Sequence, residues 1–91
     1  MAKKRLSIEQ FAHDYENDSQ YNIYNGVERV YEVFHYWAVC GYADLRKEVG
    51  ELTHTAQKEL LQHIVCEKGV TDSTMSARAD RKIVINLIDA L

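Results

Sequence analysis

The stretch Val27–Tyr42, VERVYEVFHYWAVCGY, constrains the fold of this 91-residue chain more than any other. It holds the only tryptophan, one phenylalanine, three of the six tyrosines and four valines. Glu28, Arg29, Glu32 and His35 are its only strongly polar members, and all lie within its first nine residues. A helix apolar on nearly every side must be buried within its own domain or covered by another chain. Tyr24, Val27, Tyr31, Phe34 and Ala38 recur at spacings of three and four residues, which predicts a helix over 26–40. Asn25-Gly26 is a turn signal, so residues 20–25 are a less regular extension. Gly41 is a natural left-handed stop. Leu45 and Val49 continue the spacing beyond it, so a bend and a break both fit.

The rest of the chain reads as further helix. There is no proline and there are only four glycines, few for a chain of many turns and suitable for one of helices. The hydrophobic fraction of 46% is that of a globular domain. At this length one domain is expected, spanning 1–91, with residues 1–6 as a flexible basic tail. Ser7 and Gln10 form a capping-box pair, with Leu6 and Phe11 as a hydrophobic staple, before a short helix over about 8–16. Asn17, Asp18 and Ser19 end it. After Gly41 come a charged helical piece over 42–49 and a helix over about 55–68, capped by Thr53 or Thr55. The inward face of the latter is predicted as Ala56, Leu60, Leu61, Ile64 and Val65. Thr71 or Asp72 caps a last helix that runs to about residue 90. The fold class is therefore all-α, four to five helices packed around the 26–40 helix.

Charge excludes little but argues against one class of partner. The net charge is −3, and in each quarter of the chain anions match or exceed cations. No cationic face emerges, so strong non-specific nucleic-acid binding is not implied. The opening Met-Ala-Lys-Lys-Arg lacks the apolar core of a signal peptide, and no run approaches a membrane span. A cytoplasmic location is expected. Cys40 and Cys66 both sit in apolar runs and are expected to be buried, reduced thiols.

The most specific local pattern is HIVCEKGVTDSTMSARADRKI, residues 63–83. Gly69-Val70-Thr71 followed by Ser73-Thr74-Met75-Ser76 resembles the helix-turn-helix unit of many bacterial and phage regulators. The resemblance implies that Val70 and Met75 pack two helices together. Ser73, Thr74, Ala77 and Arg78 would then meet base edges, with Arg81, Lys82 and the Lys3-Lys4-Arg5 arm on phosphates, in a dimeric regulator. Val65, Lys68 and Arg78 depart from the pattern, and two packed helices joined by a capped glycine turn account for the same residues.

His35, Cys40, His63 and Cys66 offer nitrogen and sulfur ligands of the kind zinc accepts, but their spacing matches no zinc pattern, so no metal or cofactor is expected. No nucleophile elbow, phosphate loop or paired-acid motif is present, and no enzyme is expected. What remains is the aromatic concentration. Seven of the nine aromatic residues fall within 21–42. Core packing accounts for most of them. Too few other helices are available to cover every side, however, and tyrosine and tryptophan left at a surface are favoured protein-binding anchors. The leading expectation is a small interaction protein, an inhibitor or adaptor of the kind found in phages and mobile elements. It would bind a protein partner through Tyr31, Tyr36, Trp37 and Tyr42, with Glu28 and Glu32 steering a basic surface. Self-association through the same face is equally compatible with the sequence.

Overall fold

The fold is that of an all-α domain built around the second of five α-helices. The computed structural model describes residues 5–41, 44–68 and 75–90. In order, these form α1 (Ile8–His13), α2 (Gly26–Cys40), α3 (Leu45–Gly50), α4 (His54–His63), a π-helical continuation (Ile64–Lys68) and α5 (Met75–Ala90).

The helix starts follow the capping chemistry of the sequence. At α1 the Ser7 hydroxyl accepts from the Gln10 backbone N–H at 3.2 Å. In return, the Gln10 side chain accepts from the Ser7 N–H at 3.1 Å, which completes the capping box. The Asp44 carboxylate accepts from the N–H groups of Arg46 and Lys47 to open α3, and Thr53 caps α4 through the N–H of Ala56. Gly41, at φ 73°, ends α2 by donating its N–H to the Trp37 carbonyl. The left-handed turn and the new cap at Asp44 make this a break between two helices. The proposed Gly69 stop and the Thr71 or Asp72 cap lie outside the described residues.

The first segment departs from expectation in an informative way. Helix α1 is six residues long, and residues 14–24 run on as a series of turns. Leu6 belongs to no frayed tail. It donates its N–H to the Glu51 carbonyl at 2.7 Å and accepts from the Thr53 N–H at 2.9 Å. This single parallel bridge to Leu52 ties the start of the chain to the α3–α4 junction.

Around α2 pack α1, α4 and α5, with α3 closing against α5. Val30, Val33, Phe34, Val49, Leu52, Leu60, Ile64, Ile83 and Leu87 are wholly enclosed. Each large side chain among them contributes about 1.5–3 kcal/mol through burial. The inner face of α4 is Ala56, Gln57, Leu60 and Ile64. Because Gln57 takes an inside position, the face is rotated from the predicted one, so Leu61 is half-buried and Val65 stands half exposed. Both cysteines are exposed as well, against expectation. Cys40 lies across α2 from Tyr31, and Cys66 lies across its helix from the face that Gln57 joins.

Candidate functional site

Two polar side chains decide how α2 is held, and both were inconspicuous in sequence. Arg29 is buried, and its guanidinium faces backbone carbonyls. Nε donates to the carbonyls of Tyr21 at 3.2 Å and Tyr24 at 2.9 Å, and Nη1 to that of Ala12 at 2.9 Å. One side chain thus gathers the end of α1, the 14–24 turns and α2. A planar fork of N–H donors suits this task, because it can meet several acceptors at once.

Deeper along α2, Asp80 enters from α5 and is buried. Its Oδ1 accepts from the Tyr31 hydroxyl at 2.9 Å and from His35 Nδ1 at 2.9 Å. Burial and the Asp80 carboxylate both push the Tyr31 hydroxyl well above the ordinary tyrosine range, so it stays a donor. The Tyr31 ring also stands edge-on to His63, with centroids 5.6 Å apart. His63 Nε2 in turn is hydrogen-bonded to the Glu28 carboxylate. This chain of contacts runs across α2, α4 and α5.

His35 is oriented by this network. The Asp80 carboxylate accepts in this contact, so Nδ1 carries a proton, and Nε2 is the ring nitrogen left toward the outside. The ring lines an open cleft of about 280 Å³, shared with Gln20, Tyr21, Tyr24, Glu32, Tyr36 and Val39. The outer strip of α2 forms one wall and the 20–24 turns form the other. Tyr36 is 37% exposed, Val39 46% and Ile23, on the same turns as Tyr21 and Tyr24, 75%. These side chains leave apolar surface exposed beside a concave one.

The residues singled out in the sequence separate accordingly. Tyr31 is a core residue, because its hydroxyl finds Asp80 inside, and it cannot serve as a surface anchor. Trp37 is half-buried within an aromatic group, with its ring centroid 5.4 Å from Phe34 and 6.3 Å from both Phe11 and Tyr15. It therefore faces α1 and a second groove, lined also by Leu45, Arg46, Lys82 and Ile85, away from Tyr36. Glu28 is engaged by His63, while Glu32 stands in the cleft wall. Tyr42 lies outside the described residues.

Of the base-reading set, Ser73 and Thr74 lie outside the described residues, as do Lys3 and Lys4 of the arm. Ala77 is buried, which removes it from any surface, whereas Arg78 and Lys82 are exposed and Arg81 is half-buried. Among the described residues no group of three or more His, Cys, Asp or Glu side chains is placed to hold a metal. None of the described helices is long and apolar enough to cross a membrane. Compared with protein-family models, characterised proteins and solved structures, the chain matches none.

The Asp80–His35 joint and the cleft it faces had no clear signal in the sequence. Asp80 sits 45 residues from His35 and reads as one of several charges on the last helix. Only its helical spacing with Ile83 and Leu87, at i, i+3 and i+7, places it on the buried stripe of α5.

Proposed function

We propose that this chain is a small non-enzymatic interaction protein that binds a protein partner through the outer strip of α2. The strip is Glu32, Tyr36 and Val39, and the cleft beside it gives the surface its shape. The observation that carries this reading is the unequal covering of α2. Three of its sides are closed by α1, α4 and α5, yet Tyr36 and Val39 remain exposed beside a cleft of defined lining. Tyrosine at such an edge supplies a large, stiff contact surface with a polar tip. An inhibitor or adaptor of the phage and mobile-element kind is the finer form of the proposal, in keeping with a one-domain chain of this size.

The helix-turn-helix alternative, a dimeric DNA-binding regulator, draws less support. Ala77, one of its four base-reading residues, is inside the core, and buried Asp80 follows close behind.

A photo-reactive amino acid placed at Val39, with a control at exposed Lys58 on α4, tests the proposal in the native host. The expected result is a discrete adduct from position 39, absent from position 58 and lost when Tyr36→Ala is added. An adduct of twice the chain mass identifies self-association through the same strip. Equal, diffuse labelling from both positions overturns the reading.

A further inference from the structure

We infer that the outer face of α5 docks a second copy of this chain, packed antiparallel about a two-fold axis beside Ile85. The inference concerns a different face from the outer strip of α2 and does not rest on it.

The turn of the helix defines the face. Ala77, Ala79, Asp80, Ile83 and Leu87 are buried against the rest of the chain. Arg78, Lys82, Ile85 and Asp89 all lie on the exposed side. Their spacings of four, three and four residues are those of a helix–helix seam. Ile85 is 59% exposed in the middle of this seam. Ile88 is 56% exposed along one edge of it, on the side of half-buried Val84.

The charges on the face decide what covers it. Lys82 and Asp89 stand seven residues apart, about 10 Å along the axis, too far to meet within one helix. Among the described residues neither of them has an ion-pair partner. A second α5 laid antiparallel, with position 89 of one copy opposite position 82 of the other, satisfies both groups and does so twice. The same register sets the two Ile85 side chains beside each other at the axis. A two-fold of this orientation also brings the same edge of both helices together, so Ile88 and Val84 extend the apolar contact. Other arrangements lose the match. A parallel pairing sets Lys82 on Lys82 and Asp89 on Asp89. Sliding the antiparallel helices to pair Arg78 with Asp89 brings the two Lys82 positions within about 5 Å along the seam, against about 10 Å in the first register. Across the groove beside Lys82, α3 contributes Arg46 and the capping carboxylate of Asp44, one charge of each sign, which leaves the balance as it is. Half-buried Arg81 is already engaged within the chain and is not called on.

The seam is short. One helix face from each copy buries less than the roughly 1,200 Å² at which stable interfaces begin, so the dimer is a weak one. The test is sedimentation equilibrium of the whole chain from about 10 µM to about 1 mM, the span in which such an association is read. The mass is expected to rise with concentration and to level at twice that of the chain. Lys82→Glu and Asp89→Lys should each weaken dimerisation roughly tenfold, since each sets like charges opposite one another at two places. The double variant carrying both changes should return it to near the wild-type strength. Ile85→Lys should leave a monomer. All of these positions are exposed, so circular dichroism should show unchanged helicity. A chain that stays monomeric throughout overturns the inference, as does a double variant no stronger than the single ones. A mass that climbs past the dimer overturns the two-fold arrangement. A dimer that ignores the α5 changes and dissociates on Tyr36→Ala belongs to the α2 strip, and the α5 assignment falls.

Discussion

Arg29 fastens the first turns of α2 to α1 and the 14–24 segment, whereas Asp80 fastens its middle to α5, and the two joints differ in chemistry. Arg29 keeps its charge at any pH of interest, and its acceptors are backbone carbonyls, which do not titrate. The Asp80 joint is made of side chains alone, and its Tyr31 hydroxyl is held above the ordinary tyrosine range by burial and then by Asp80. The first is a permanent fastening. The second depends on conditions, and it also faces the cleft.

The largest effect is expected from breaking the permanent joint. Arg29→Met keeps the length of the side chain but removes its charged bonds to three carbonyls, two of them buried, although those of Tyr21 and Ala12 keep the backbone N–H groups of Tyr24 and Tyr15. A loss of about 3–4 kcal/mol is expected in urea unfolding, since bonds from a charged donor are involved and their acceptors stay buried. Arg29→Lys should retain only part of the stability, because an ammonium cannot reach α1 and both turn carbonyls in the same geometry. If Arg29→Met unfolds at the wild-type urea concentration, the guanidinium is no fastening and the contrast between the joints collapses.

Asp80→Ala comes next, at about 2–3 kcal/mol, because it leaves the Tyr31 hydroxyl without its buried acceptor. The same change frees His35 to rotate, so its ring NMR signals should move even under conditions where the chain is still folded. Arg29→Lys should leave those signals in place. Movement of the signals in both variants would mean that the two joints are not separable.

Tyr31→Phe sharpens the comparison through pH. At neutral pH it should cost about 1 kcal/mol, the net worth of one hydrogen bond. The alkaline limb carries more information. The Tyr31 hydroxyl is raised above its ordinary value of 10.0, first by burial and then by the Asp80 bond. Unfolded chains therefore release this proton before folded ones do, and wild-type stability should fall as pH climbs above that value. Tyr31→Phe should flatten most of the slope. A smaller part should remain from Tyr15, which burial and then the charges of Glu48, Asp14 and Asp18 also raise. Arg29→Met, which brings in no titrating group, should keep the whole slope. Urea midpoints measured at intervals from neutral to strongly alkaline pH decide the matter.

Periodicity and capping made the helices legible in advance. The 26–40 helix, its stop at Gly41, the Ser7–Gln10 box and the Thr53 cap could all be read because each rests on neighbours within a few residues. The joints could not be read in that way. Arg29 looks like a charge on a mixed face, yet it is buried because the turns before α2 and the end of α1 bring carbonyls to it from 5, 8 and 17 residues away. Gln57 is the same case in α4, donating to the carbonyls of Val49 at 2.9 Å and Leu52 at 3.3 Å. Once polar side chains occupy inside positions, the apolar pattern no longer marks the true face, which is how Val65, Cys40 and Cys66 came to be expected inside. Tyr31 and Tyr36 show the other limit of sequence. Both are tyrosines on one apolar helix; the spacing puts Tyr31 on the buried stripe and leaves Tyr36 off it, but the acceptor that Asp80 brings to the Tyr31 hydroxyl is not visible in the spacing.

The smallest effect on stability is expected at Tyr36, and it is the one that bears most on function. Tyr36 belongs to neither joint and is partly exposed at the cleft wall. Tyr36→Ala should shift unfolding by no more than about 0.5 kcal/mol, the range of ordinary surface changes. It should nevertheless remove the Val39 adduct, because a stiff aromatic at the centre of an interface carries far more than its share of affinity. Trp37→Ala provides the contrast, since its ring packs on Phe11, Tyr15 and Phe34 and its loss should cost stability directly. Urea unfolding and the cross-linking assay, run on the same two variants, separate the roles. A Tyr36→Ala protein that unfolds as readily as Trp37→Ala would make the outer strip part of the core, and the proposed partner surface would lose its anchor.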